Sequence, residues 1–190
     1  MQFSAFNTFV ADVRLCDGFF YFEIIVAKCN QDVQFGFCTR GFEGREDPKK
    51  EGDKGVGDDE WSWAVDGHRQ RKWHAAKGST YEDYGSKWAT GDLIGFALDM
   101  RTPGAAIFSV SVNGSFAAPN GVAFRDIRAP YLSPAFSGFG VFCLNFGDRA
   151  FTHAPSVHGL LSVHDANKVG PVCDCIPRST LIYVAVSSDS

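Results

Sequence analysis

The side chains best suited to chemistry form short groups. Asp58, Asp59 and Glu60 stand in a row, His68 and His74 follow, and Cys173 and Cys175 lie near the C-terminus. Adjacent carboxylates suggest a hard cation, which takes oxygen ligands. The run, however, lacks the Asp-x-Asp-x-Asp-Gly spacing and distant Glu of a calcium loop, and neighbouring strand residues point to opposite faces. His68 and His74 have no third ligand at zinc spacing, and Cys173-x-Cys175 has no CxxC partner. No nucleophile elbow or oxyanion motif surrounds a cysteine, and there is no phosphate loop or GxGxxG. The expectation is no catalytic residue, no metal and no cofactor.

These residues cluster in Gly55 to His74, GVGDDEWSWAVDGHRQRKWH, around which the chain is organised. Trp61, Trp63 and Val65 alternate with Ser62, Ala64 and Asp66, the period of a strand with one face in the core. Asp66-Gly67 reads as a tight hairpin turn, and Arg69, Arg71 and Trp73 alternate after it. The segment is expected to be a hairpin with its tryptophans inward. Arg69, Arg71 and Lys72 read as a solvated hairpin edge rather than a phosphate site.

Across 190 residues, 18 phenylalanines and 20 glycines point to many short strands joined by tight turns. A net charge of −4 and a pI near 5.7 argue against nucleic-acid binding, which needs an excess of Lys and Arg on one face. No apolar run is long enough to span a membrane, and the first residues lack a secretory pattern. The cysteines at 16, 29, 38, 143, 173 and 175 fall mostly in strand-like runs, so reduced core thiols in an intracellular, cytoplasmic protein are expected.

Gly18 to Ala27 is the strongest strand, with Phe20, Phe22 and Ile24 on one face and Phe19, Tyr21, Glu23 and Ile25 on the other. Gln31 to Thr39 is its expected partner, with Gly36 allowing close approach of a neighbouring backbone. Thr8 to Leu15, Gly91 to Met100, Ala105 to Val112, Gly121 to Phe124, Tyr131 to Phe136 and Val141 to Phe146 add further strands. Gly41 to Lys54 reads as a long surface loop, and Asn113-Gly114 as a favoured hairpin turn. Roughly ten half-apolar strands require a second sheet over their inner faces, so the fold class is all-β, an antiparallel β-sandwich.

In order along the chain, Tyr21-Phe22-Glu23, VQFGFCT, GVGDDEWSWAVDG, RQRKWH, Tyr84-Gly85, Trp88-x-x-Gly91-Asp92-x-Ile94-Gly95, Asn113-Gly114, Val122-Ala123-Phe124, Pro134-Ala135 and Asn145-Phe146-Gly147 resemble a SPRY domain over about residues 6 to 150. The variant is similar to those of RING and HECT ubiquitin ligases and ryanodine receptors. The resemblance implies a bent, concanavalin-like jelly-roll sandwich of two sheets that binds a short peptide or partner surface through its loop end and performs no chemistry. By similarity to a family member that grips an acidic peptide, the matching positions are Gln34, Gly55, Asp58 and Asp66. Where that relative is basic or aromatic, this chain carries amide and acid, which favours a Lys- or Arg-bearing partner.

The partner-binding candidates are therefore Gln34, Gly55, Asp58, Asp59, Asp66, His68, Arg69 and Phe139, the last an exposed aromatic in the SGFG loop; Tyr81 is another exposed ring. A structural reading stands beside this one, because Asp58, Asp59 and Asp66 adjoin glycine turns, where Asp caps backbone N–H groups. Trp61, Trp63 and Trp73 read as core. Residues 1–163 are assigned to the domain, with Asp148 to Val163 lying back on it, and 164–190 to a tail or the start of a following region. The expected function is recruitment of a protein or short peptide to a ubiquitin-ligase-like protein, with no nucleic acid and no membrane insertion. The alternatives are a scaffold or channel-regulatory domain packing on its neighbours and a glycan-binding or hydrolytic sandwich, which would need paired carboxylates in one cleft.

Overall fold

A computed structural model of the chain describes residues 2–29, 31–44, 54–75 and 81–169. In chain order the strands are β1 (Gln2–Val10), β2 (Phe19–Lys28), β3 (Val33–Cys38), β4 (Ser62–Asp66), β5 (Arg71–His74), β6 (Glu82–Asp83), β7 (Leu93–Asp99), β8 (Ala106–Val112), β9 (Gly121–Ile127), β10 (Ser133–Asn145) and β11 (Leu160–Ser162). A helix, α1 (Val163–Val169), follows them. The path of hydrogen-bonded neighbours is β6-β5-β4-β3-β10-β2-β7-β8-β9, with β1 added to β10 and β11 to β2. Among the described strands only the β11–β2 pair is parallel.

The sheet curls into a bent sandwich. Phe37 of β3 meets Phe108 of β8 edge-on at 4.9 Å, although three strands separate them in the path. At the far ends, Lys72 of β5 donates from Nζ to the Ala123 carbonyl of β9 at 3.0 Å. The two halves thus cover one another's apolar face, as half-apolar strands must.

Strand β2 runs through the centre because both of its faces are needed. Phe20, Phe22, Ile24 and Val26 point into the main core, where Phe22 stacks on Phe96 at 4.9 Å and meets Phe136 edge-on. Burying each such side chain contributes about 1.5–3 kcal/mol. On the other face Glu23 is buried, yet its carboxylate accepts hydrogen bonds from the backbone N–H of Thr152 at 2.9 Å and His153 at 2.7 Å. The Tyr21 hydroxyl donates to the His153 carbonyl at 3.0 Å, and burial, with the Glu23 carboxylate nearby, pushes that phenol above its ordinary value. Residues 148–163 accordingly lie back on the sandwich, and α1 continues past position 163.

Several expectations are corrected. The chain after β2 does not pair with it: β10 inserts between β2 and β3. Tyr131 to Phe136 and Val141 to Phe146 belong largely to one strand, β10, so Phe139 sits in a strand rather than a loop. Gly138 and Gly140 carry φ of 140° and 136°, and a Cβ on either would stand 2.4 Å from the Asp32 or Lys28 carbonyl oxygen. Those glycines let β10 bend from β3 towards β2 without breaking. The first strand ends at Val10, and Leu15 makes only an isolated bridge to Leu132.

The Asp66-Gly67 turn is also longer than expected, because β4 ends at Asp66 and β5 begins at Arg71, with positive φ at Gln70 rather than Gly67. Gly67 is required for another reason: its Cβ would lie 1.9 Å from the buried Trp88 ring. At Gly36 a Cβ would stand 2.1 Å from the Trp63 carbonyl oxygen, in keeping with the close approach expected there. Asn113 and Gly114 take φ of 50° and 81° in a tight turn that closes Val112 on Ser115.

Of the cysteines within the described residues, only Cys38 is a core thiol, pushed up to about 12 by burial. Cys16 and Cys29 are half-buried and Cys143 is exposed, all free; Cys173 and Cys175 lie outside the described residues. The Gly41 to Lys54 loop is described only at its ends, 41–44 and 54.

Candidate functional site

Strand alternation sets the site. In β3, Val33, Phe35 and Phe37 enter the main core, which sends Gln34, Gly36 and Cys38 to the outer face. In β4, Trp63 and Val65 go inward and Ser62, Ala64 and Asp66 outward. The outer positions are roofed: Val56, Cys38, Ala64 and Ala135 form a second apolar cluster beneath Val10 and Phe42. Gln34 and Asp66 are consequently only 3% and 1% exposed.

Asp58 fastens this roof to the sheet. Its Oδ2 accepts from the Gly55 N–H at 2.7 Å and its Oδ1 from Gln34 Nε2 at 2.8 Å. Burial raises the Asp58 pKa from its ordinary value, opposed by those two bonds and by the Arg69 charge. Gly55 is compelled, since a Cβ there would meet Gln34 Oε1 at 1.8 Å and the Phe6 ring at 2.9 Å.

Asp66 organises the neighbouring turn. Its Oδ1 accepts from the N–H of His68 at 2.8 Å and of Arg69 at 2.9 Å, while Oδ2 pairs with Arg69 Nε. Burial is again the largest cause of a raised pKa, with Arg69 acting against it. The same guanidinium reaches Asp32 Oδ2 at 3.0 Å and lies over the Trp73 ring at 4.5 Å. His68 Nδ1 is 3.6 Å from Asp32 Oδ1, too far for a hydrogen bond.

Phe139 joins the group through its backbone N–H, which donates to the Asp32 carbonyl at 3.0 Å. Its half-buried ring meets that of Phe6 at 5.8 Å. Gln34, Gly55, Asp58, Asp66, His68, Arg69 and Phe139 therefore converge on one face. Asp59 does not: its Oδ1 accepts from the Trp61 N–H at 3.0 Å and the Ser62 hydroxyl at 2.7 Å, within the turn that leads into β4.

Two members of the group were not singled out in the sequence. Asp32 follows Asn30-Gln31 in a polar connection, a turn signal that could have drawn attention to it. Phe6 carries no local signal, since its position is defined by β10. The basic trio also differs from a solvated edge. Arg69 is held as described, Arg71 lies 3.4 Å over the Tyr81 ring, and Lys72 bonds to Ala123 and pairs with Glu82 at 2.8 Å. Tyr81 is 38% exposed and Trp63 and Trp73 are buried, but Trp61, read as core, is 47% exposed. Trp61 precedes the first residue of β4, so the strand alternation does not reach it. His74 stacks on Trp63 at 4.6 Å, facing away from His68.

A family model described as the SPRY domain matches residues 19–148. The chain belongs to the SPRY domain family. SPRY domains are protein-interaction modules, generally non-catalytic, and the curled antiparallel architecture agrees with that membership. The chain is also similar to the E3 ubiquitin-protein ligase RKP of Arabidopsis thaliana, with 34% identity over 96 residues. That match covers 50% of this chain and 7% of the ligase. Within the described residues no helix is long and apolar enough to cross a membrane.

Proposed function

We propose that the outer face of this SPRY domain binds a short basic peptide or a basic patch on a partner protein. One observation carries the reading: a half-exposed aromatic pair, Phe6 and Phe139, adjoins three carboxylates, Asp32, Asp58 and Asp66, that face a single guanidinium, Arg69. An aromatic pair supplies apolar area and a π-face for a Lys or Arg side chain. The surplus of carboxylate selects the sign of the partner and speeds its encounter. Gln34 and Gly55 hold this surface.

In this reading such binding recruits a substrate or partner for a ubiquitin-ligase-like protein inside the cell, with residues 1–163 as the domain and 164–190 as a tail or the start of a further region; the similarity of half of the chain to part of an E3 ligase supports it. The domain itself supplies contacts and no chemistry.

The test is a peptide array on the purified chain, followed by titration of the best basic peptide. Phe139→Ala and, separately, Asp32→Lys should each weaken binding at least about tenfold, because an anchor or a contacting charge is lost. Asp32 is the appropriate charge probe since its side chain is 47% exposed, whereas Asp66 is buried. If basic peptides bind both variants as well as the wild type, the reading fails.

A further inference from the structure

A groove of about 540 Å³ opens at the mouth of the sandwich, where the β4–β5 edge meets the connection from β9 to β10. It lies on the inner side of β4 and β5, away from Phe139. Its floor is aromatic: Trp63 and His74 stack at 4.6 Å, and Phe124 stands edge-on to His74 at 6.4 Å. At its lip is Trp61, 47% exposed, with Gly41 so close that a Cβ there would lie 2.4 Å from the indole. That close approach fixes the ring across the lip.

The charges around the groove differ from those of the outer face. Arg40, Arg125 and Arg128 line it, all exposed, and none forms an ion pair among the described residues. Arg14 stands beside it, 4.9 Å over the Tyr131 ring. Only Glu60 and Asp126 oppose them on the lining. In a chain of net charge −4, Arg40, Arg125 and Arg128 make a local surplus of guanidinium, whose planar donor sets suit a carboxylate.

We infer that this groove binds an extended acidic peptide segment of a partner protein, distinct from the occupant of the outer face. Carboxylates of the segment pair with Arg40, Arg125 and Arg128, a match that guanidinium geometry makes bidentate. A flat residue, proline or aromatic, lies on Trp61. The two faces then allow one domain to hold two segments of opposite charge.

The experiment titrates the whole chain with a fluorescein-labelled peptide of alternating Glu and Pro, using the Lys and Pro counterpart as control, and reads anisotropy and tryptophan emission. The expected result is saturable binding of the acidic peptide alone, weakened at least about tenfold by Arg125→Glu combined with Arg128→Glu. Trp61→Ala should weaken it and abolish the emission change, whereas Phe139→Ala should leave it intact. The melting temperature of the variants should be unchanged, so that lost binding is not lost fold. No binding of the acidic peptide, equal binding of both peptides, or affinity unaffected by charge reversal would overturn the inference. Sedimentation supplies a separate check: a dimer dissolved by Arg125→Glu combined with Arg128→Glu would assign the groove to a second copy of the chain and defeat the peptide reading.

Discussion

The outer face and the mouth groove are two sides of the same strands, β4 and β5, and they treat charge in opposite ways. On the outer face nearly every charged group is committed internally: Asp66 to two backbone N–H groups and Arg69, Asp58 to Gly55 and Gln34, Arg69 also to Asp32. Around the groove Arg40, Arg125 and Arg128 form no ion pair among the described residues, and a tryptophan stands half in solvent. A group that already satisfies buried backbone is costly to alter, while an exposed one is free to meet a partner. Substitutions at the buried, committed groups should therefore act on stability, and those at exposed or half-exposed groups of either side, Asp32 and Phe139 or Trp61 and Arg125, on binding.

Asp66→Ala should have the largest effect. It strands two N–H groups and leaves the half-buried Arg69 guanidinium with Asp32 alone, and should cost about 3 kcal/mol in urea unfolding, as breaking a buried ion pair does. An unchanged unfolding midpoint would erase the contrast between the faces. Gly67→Ala comes next: the added methyl must displace the Trp88 ring, an overpacking cost of about 1–3 kcal/mol. Circular dichroism melts would show it, and loss of the near-ultraviolet tryptophan signal should accompany the drop.

Asp58 sharpens the comparison through pH. Burial raises its pKa above 3.8, so folding favours its protonated form. That contribution is full below the ordinary value and is lost as pH rises through the raised folded value. Asp58→Asn cannot titrate there, so the stability of the wild type minus that of the variant should decline as pH rises from the ordinary carboxylate value through the raised folded one. A flat difference across paired melts would mean that solvent screens this carboxylate. The smallest effect belongs to the groove: Arg125→Glu and Trp61→Ala should each move stability by no more than about 0.5 kcal/mol. A larger loss would make the lip structural and remove it as a binding surface.

How far the sequence foretold this arrangement varies with the range of the interactions involved. The β2 strand and the Asn113-Gly114 turn rest on neighbours in the chain, and each reads from local pattern, whereas Arg69 lies in the turn before β5 and Trp73, opposite Ala64, faces outward. The site was legible through Gly55, Asp58 and Asp66, because glycine beside aspartate announces a turn whatever surrounds it. Asp59 carried the same signal but serves only its own turn. Phe6 and Asp32 join the site through β10, more than a hundred residues away in Phe139, and no local pattern encodes that distance.

By itself the sequence determined that the chain is a β-sandwich of short strands and which faces of its clearest strands, such as β2 and β3, pave the core, since period-two alternation acts over a few residues. Tertiary structure alone decided that β10 lies between β2 and β3, that Phe6 meets Phe139, and that the Arg40 and Arg125 loops share one groove. It also decided between Trp61 and Trp63, two positions apart in one alternating pattern: Trp63 is buried and Trp61 faces solvent. Alternation orients a side chain only while the backbone is held in the ladder, and the ladder begins at Ser62, where β3 first pairs with β4.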